Sequence, residues 1–215
     1  MKDKVVSDRL YNFILYGCLL YGCLMNFIMV RFSLNILDLV PNIIIFYIIY
    51  FALALTGIFM SKLSYNPIIS FIGYNLVVVP VGFIVDISIR TYGGLESNIV
   101  QQAFLITLVV FGLMTAVSVI VPNFCRKLGG ILFISLLGLI ITEIIFLILH
   151  IDSILFAWIG AGIFTLYIAY DTRKAHDIDQ TIDNAVDSAV GIYLDIINLF
   201  LDLLSILGNS KSNRK

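Results

Sequence analysis

Long apolar runs broken by short polar connections set the pattern of this chain. Seven stretches approach the roughly 20 apolar residues that a helix needs to cross a hydrocarbon layer. They are Tyr11–Val30, Ile43–Met60, Pro67–Ile89, Ile99–Val121, Leu128–Leu149, Ile154–Tyr170 and Val190–Leu207. The runs are too long for strands, and backbone groups in lipid must be satisfied within their own element, so helices follow. The expected fold is all-α: a seven-helix transmembrane bundle, residues 1–215 as one transmembrane domain, with a central C-terminal helix. The longest internal connection runs from Asp171 to Ala189, which leaves no room for a soluble domain.

Composition agrees with this reading. Of 215 residues, 60% are hydrophobic and 13% charged, with a mean hydropathy of +1.04. Soluble domains carry about a quarter charged residues, so a lipid bilayer is the expected solvent. The formal net charge of −1, with no basic run, gives no reason to expect a nucleic-acid partner. Cys18, Cys23 and Cys125 form no CxxC pattern and read as packed thiols. No cofactor is implied. The first apolar run follows a leader of mixed charge and lacks a small-residue cleavage site before Arg31, so it is expected to be retained.

Lys and Arg near span ends orient such a chain, with the richer side in the cytoplasm. Lys2, Lys4, Arg9, Lys62, Arg126, Lys127, Arg173 and Lys174 fall on the N-terminal side, against Arg31 and Arg90 opposite. The N-terminus is therefore expected in the cytoplasm, and the short connections suit a prokaryotic inner membrane. A crossing seventh helix exports the tail 211–215, which is itself basic; the sequence leaves the side of that tail open.

The polar residues inside the spans carry the chemistry. Asp195, Asn198 and Asp202 are spaced three and four apart and form one stripe on a helix. Asp171 closes the preceding span at similar depth. A carboxylate in hydrocarbon is costly and usually faces protein, where it handles protons or ions. Two carboxyl groups in one poorly hydrated site titrate as a unit and share a proton. Asp171 and Asp195 are thus an expected pH-sensing pair, which when deprotonated repels itself or takes up a cation. Asn198, Asp202, Glu143 and Lys62 are the supporting polar residues. Lys62 reads as a snorkelling anchor, with Asp171 as an alternative partner. His150 lies on the face of Glu143, seven residues on.

Asp177, Asp179, Asp183 and Asp187 lack an EF-hand's glycine and terminal glutamate and read as a solvated acidic face. Asp86 and Arg90, four apart, read as an ion pair. Gly17 and Gly22, within Tyr16-Gly-Cys18 and Tyr21-Gly-Cys23, suggest close helix approach, and Pro80 a kink. An intramembrane aspartyl protease lacks half its signature, because Asp195 follows Ile192-Tyr-Leu rather than Gly-x-Gly. No enzyme is expected.

The segments Leu166-Tyr-Ile-Ala-Tyr-Asp171 and Ile192-Tyr-Leu-Asp-Ile-Ile-Asn-Leu-Phe-Leu-Asp-Leu-Leu204 resemble the closing signature of the Bax inhibitor family. The resemblance implies a final helix surrounded by the others and a pH-sensitive calcium leak, with Asp171 and Asp195 as sensor and gate and as transient ligands for calcium, a cation that prefers hard oxygen donors. It implies a basic residue after the second helix, for which Lys62 is the candidate. It also implies a second possible role, in which the protein conducts nothing and modulates a membrane protein partner such as a quality-control protease.

Overall fold

The computed structural model describes residues 4–32, 43–149 and 154–212. Eight helices lie among them: α1 Asp8–Phe32, α2 Ile43–Leu63, α3 Pro67–Thr91, α4 Asn98–Ile120, α5 Pro122–Lys127, α6 Gly129–Leu149, α7 Ile154–Asp177 and α8 Ile182–Ser212. All but the six-residue α5 are long and apolar enough to cross a membrane. Their outward faces are covered by large apolar side chains such as Phe13, Leu20, Ile120 and Ile134, each at least 70% exposed. A soluble protein does not display apolar surface on this scale. The expected all-α class with seven spans is what the chain adopts.

Helix limits differ from the hydropathy pattern in one region. α7 continues past Tyr170 to Asp177, and α8 begins at Ile182 rather than Val190, leaving a connection of only 178–181. The cause is local capping. The Thr181 hydroxyl accepts from the Asn184 backbone N–H at 3.1 Å, and Asn184 Nδ2 donates to the Asp179 carbonyl at 2.6 Å, which satisfies donors that a helix start leaves open. The Val6 N–H donates to the Gln180 carbonyl at 2.8 Å. α5, which hydropathy left as the connection between two spans, starts at Pro122, a favoured residue where no N–H is needed.

The chain forms two compact units. The first comprises residues up to Thr91 together with Ala175–Tyr193; the second comprises Tyr92–Lys174 and Leu194 onward. α8 supplies its first turns to one unit and its remainder to the other.

In the first unit, Tyr11, Leu15, Tyr74 and Tyr193 are fully buried. Each buried phenol finds a partner, as an amphipathic ring must. Tyr11 donates to the Ala175 carbonyl at 2.7 Å, Tyr74 donates to the Cys18 carbonyl at 2.7 Å, and Asn26 Nδ2 donates to the Tyr193 hydroxyl at 2.5 Å. Gly22 makes room for the Tyr74 hydroxyl and the Tyr193 ring, as its close-approach role requires. Gly17 does not share that role, because nothing stands within 4 Å of where its side chain would be. It faces outward, a direction that the repeated tripeptide does not encode. Pro80 is buried within an unbroken α3. α2 and α3 meet backbone to backbone at Gly57 and Gly73.

In the second unit, Leu139 of α6, Phe164 and Ile168 of α7 and Leu199 of α8 form the buried core. Gly93 and Gly94, with φ of +97° and +81°, turn the chain into α4, whose first turn is capped by Ser97.

A methyl group at Gly73 would stand 2.6 Å from the Gly57 carbonyl oxygen and 2.9 Å from the Ser61 nitrogen. Gly73→Ala is therefore expected to destabilise the protein by about 1–3 kcal/mol, read as a lower melting temperature in detergent. Gly17→Ala, used as the control, should leave that temperature unchanged.

Candidate functional site

The polar stripe of α8 lies against α7 within the second unit. Asp195 is buried at 6% exposure, and its Oδ2 has no hydrogen-bond partner among the described residues. Such an oxygen is expensive to leave bare in a poorly solvated interior. Asp171, half-buried near the end of α7, lies within electrostatic reach of it. Both carboxyl groups act on the Tyr167 hydroxyl, one helical turn before Asp171. Thr172, beside Asp171, is buried, with its Oγ1 likewise lacking a partner. The two aspartates named from sequence thus stand on α7 and α8 within electrostatic reach of each other, and Asp195 Oδ2 and Thr172 Oγ1 both lack a hydrogen-bond partner among the described residues.

Asn198 is half-buried one turn beyond Asp195. Asp202, half-buried one turn further, lies over Gly160 of α7. A methyl group at Gly160 would come within 2.5 Å of Asp202 Oδ2, which also lacks a partner. Glu143 of α6 is exposed and within electrostatic reach of Asp202; it is not part of the Asp171–Asp195 locus. His150 lies outside the described residues. Among the described residues, no three His, Cys, Asp or Glu side chains gather as a metal site.

Lys62 is exposed at the end of α2 and acts electrostatically on Asp187. Asp86 and Arg90 form the expected ion pair, with Arg90 Nε 3.0 Å from each carboxylate oxygen.

The solvated acidic face proposed for Asp183 and Asp187 is incorrect. Asp183 is 3% exposed and accepts from the Ser70 hydroxyl at 2.6 Å, while Asp187 accepts from the Ser61 hydroxyl. Both serines are fully buried. Serine pairs are silent in a hydropathy profile. The signal that was available is spacing: Gly57 and Ser61, like Ser70 and Gly73, are small residues one turn apart on facing helices.

Comparison with known proteins bears on the whole chain. Residues 4–213 match the family described as "Inhibitor of apoptosis-promoting Bax1". The chain belongs to the Bax inhibitor family. Similar proteins include an uncharacterized protein of Helicobacter pylori, 36% identical over 111 residues, covering 51% of this chain and 47% of that one. "Bax inhibitor 1" of Schizosaccharomyces pombe is 34% identical over 122 residues, 55% of this chain and 45% of that one. "Inner membrane protein YbhL" of Escherichia coli is 29% identical over 123 residues, 52% and 53% respectively. The chain spans about half the length of the curated relatives it matches. The resemblance read from the two terminal segments is correct, and this family member is a multi-pass membrane protein.

Asp195→Asn removes a buried charge-bearing group without changing its size. It is expected to raise stability in detergent by about 1 kcal/mol, as is common where function requires an unfavourable group. Thermal unfolding of wild type and variant side by side reads the difference; a clear loss of stability would show that the carboxyl group is a structural hydrogen-bonding element.

Proposed function

We propose that this Bax inhibitor family protein is a pH-sensitive calcium leak, gated by a proton that Asp171 and Asp195 share. The observation that carries the reading is the bare, buried Oδ2 of Asp195 within reach of Asp171. Two carboxyl groups at close range in a dry site repel when both are ionised, and one proton between them replaces repulsion with a hydrogen bond. With the proton bound, the bond ties α7 to α8. Without it, the groups separate or take a cation between them. Calcium suits the second state because carboxylate and amide oxygens, those of Asp195, Asn198 and Asp202, line the α8 stripe. In this reading the site passes ions and protons and carries out no reaction on an organic substrate.

Orientation and location belong to the same reading. Arg9 in the first turns of α1, Lys62 at the end of α2, Arg126 and Lys127 in α5 and Arg173 and Lys174 near the end of α7 mark the cytoplasmic side. An inner-membrane location has support from the name of the Escherichia coli relative.

The test is calcium efflux from liposomes holding the purified protein, followed by a trapped indicator across pH. Wild type should leak with a pH-dependent rate. Asp171→Asn and Asp195→Asn should each flatten the profile, whereas Asp202→Asn should lower the rate without moving its midpoint. An unaltered profile in both sensor variants would overturn the gate. No flux from wild type at any pH would favour a non-conducting protein that modulates a membrane partner.

A further inference from the structure

In the second unit the end of α7 packs against the junction of α5 and α6, and basic residues gather there. Gly129, the first residue of α6, has no side chain, and the Tyr170 phenol of α7 uses that room: a methyl group at Gly129 would stand 2.6 Å from its hydroxyl. Lys174, one turn on from Tyr170, holds its Nζ over the same ring, 5.9 Å from the centroid, within the range of a cation–π contact. Arg173, beside it, stands within electrostatic reach of Cys125 of α5. Arg126 and Lys127, in the last turn of α5, lie between Cys125 and Gly129 in the chain. Two independent contacts therefore set the last turns of α7 against residues 125–129. Arg126, Lys127, Arg173 and Lys174 are brought to one place with them.

Lys127 and Lys174 are exposed. Arg126 is exposed too, with its Nη1 donating to Asn123 Oδ1 at 3.1 Å, and Arg173 is half-buried. The acids that flank them on α7 are Asp171 and Asp177, so the cations outnumber the carboxylates at a point where three spans begin or end. Directly beside the cations the surface is apolar: Ile120 at the end of α4, Phe124 of α5 and Ile131 of α6 are all exposed. A cationic rim that continues into an apolar face suits a molecule with an anionic head and acyl chains. A soluble anion would meet the rim alone, and a neutral lipid the face alone. Basic residues where helices meet the membrane surface are what hold anionic headgroups, and a lysine stem laid along a ring lets the ammonium reach that level.

We propose that Arg126, Lys127, Arg173 and Lys174 form a binding site for the headgroup of an anionic phospholipid, whose acyl chains lie along Ile120, Phe124 and Ile131. Lys127 and Lys174 supply charge-assisted hydrogen bonds to the phosphate, and the two guanidinium groups add to the field that draws it in. The bound lipid links α5 to the end of α7 from outside the protein. The inference does not rest on ion conduction.

Quenching of tryptophan fluorescence by brominated acyl chains reads which lipid stands next to a chosen residue. The chain's one tryptophan, Trp158, is exposed near the opposite end of α7 and serves as the internal control. Phe124→Trp/Trp158→Phe moves the reporter to the proposed site. Both proteins are reconstituted in phosphatidylcholine vesicles that hold a minor fraction of phosphatidylglycerol, with bromine on one lipid or the other. At position 124, phosphatidylglycerol should be enriched about five-fold over the bulk, and less so as salt is added. At Trp158 there should be no enrichment. Arg126→Gln, Lys127→Gln, Arg173→Gln and Lys174→Gln together should abolish the enrichment at position 124. Lys127→Gln/Lys174→Gln should at least halve it, and serves alone if the fourfold variant does not fold. No enrichment at position 124 with all four cations in place, equal enrichment at Trp158, or full enrichment in the double glutamine variant overturns the site. None of these readouts involves calcium or pH, so the lipid site and the gate stand or fall separately.

Discussion

Polar groups withdrawn from water must find partners or perform a task, and α8 concentrates that constraint. Within its length it carries Asp183, Asp187, Tyr193, Asp195, Asn198 and Asp202. Within each unit, neighbouring spans supply partners for these groups. Serines from α2 and α3 meet the first two, Asn26 of α1 meets the phenol, and α7 offers Asp171 and the gap above Gly160. Where partners are complete, the contacts hold the helix. Where an oxygen is left bare, as at Asp195 and Asp202, the arrangement costs stability.

Glycines determine where these meetings occur. Gly22, Gly73 and Gly160 each face a neighbour that leaves no space for a methyl group, and that neighbour is a hydroxyl, a peptide oxygen or a carboxyl group. Small residues here do more than let helices approach. They create the pockets in which the polar side chains of the facing helix come to rest. In a membrane, where lipid competes for apolar contact, such close packing is what brings helices together.

Much of this was legible in the chain. Seven apolar runs gave the seven spans, because length and hydropathy are what lipid selects for. The Asp195-Asn198-Asp202 stripe followed from helical spacing alone, and two short segments were enough to indicate the family. The start of α8 was not legible. Residues 178–189 are polar, and a hydropathy profile cannot separate polar side chains that face water from polar side chains buried against serines. The distinction lies in partners contributed by α2 and α3, more than a hundred residues earlier. Gly17 was misread for the opposite reason: its sequence context matches that of Gly22, yet it lies on a face with no neighbour.

The anchoring of Tyr11 by Ala175 and Ser188 has a consequence for biosynthesis. The phenol leaves the ribosome 164 residues before the Ala175 carbonyl to which it donates. Throughout translation of the intervening spans, α1 must sit in the bilayer with a buried-type hydroxyl exposed and the surface around it uncovered. The first unit therefore cannot close until residues 175–193 have been made, and until then the apolar faces of α1, α2 and α3 are open to wrong neighbours.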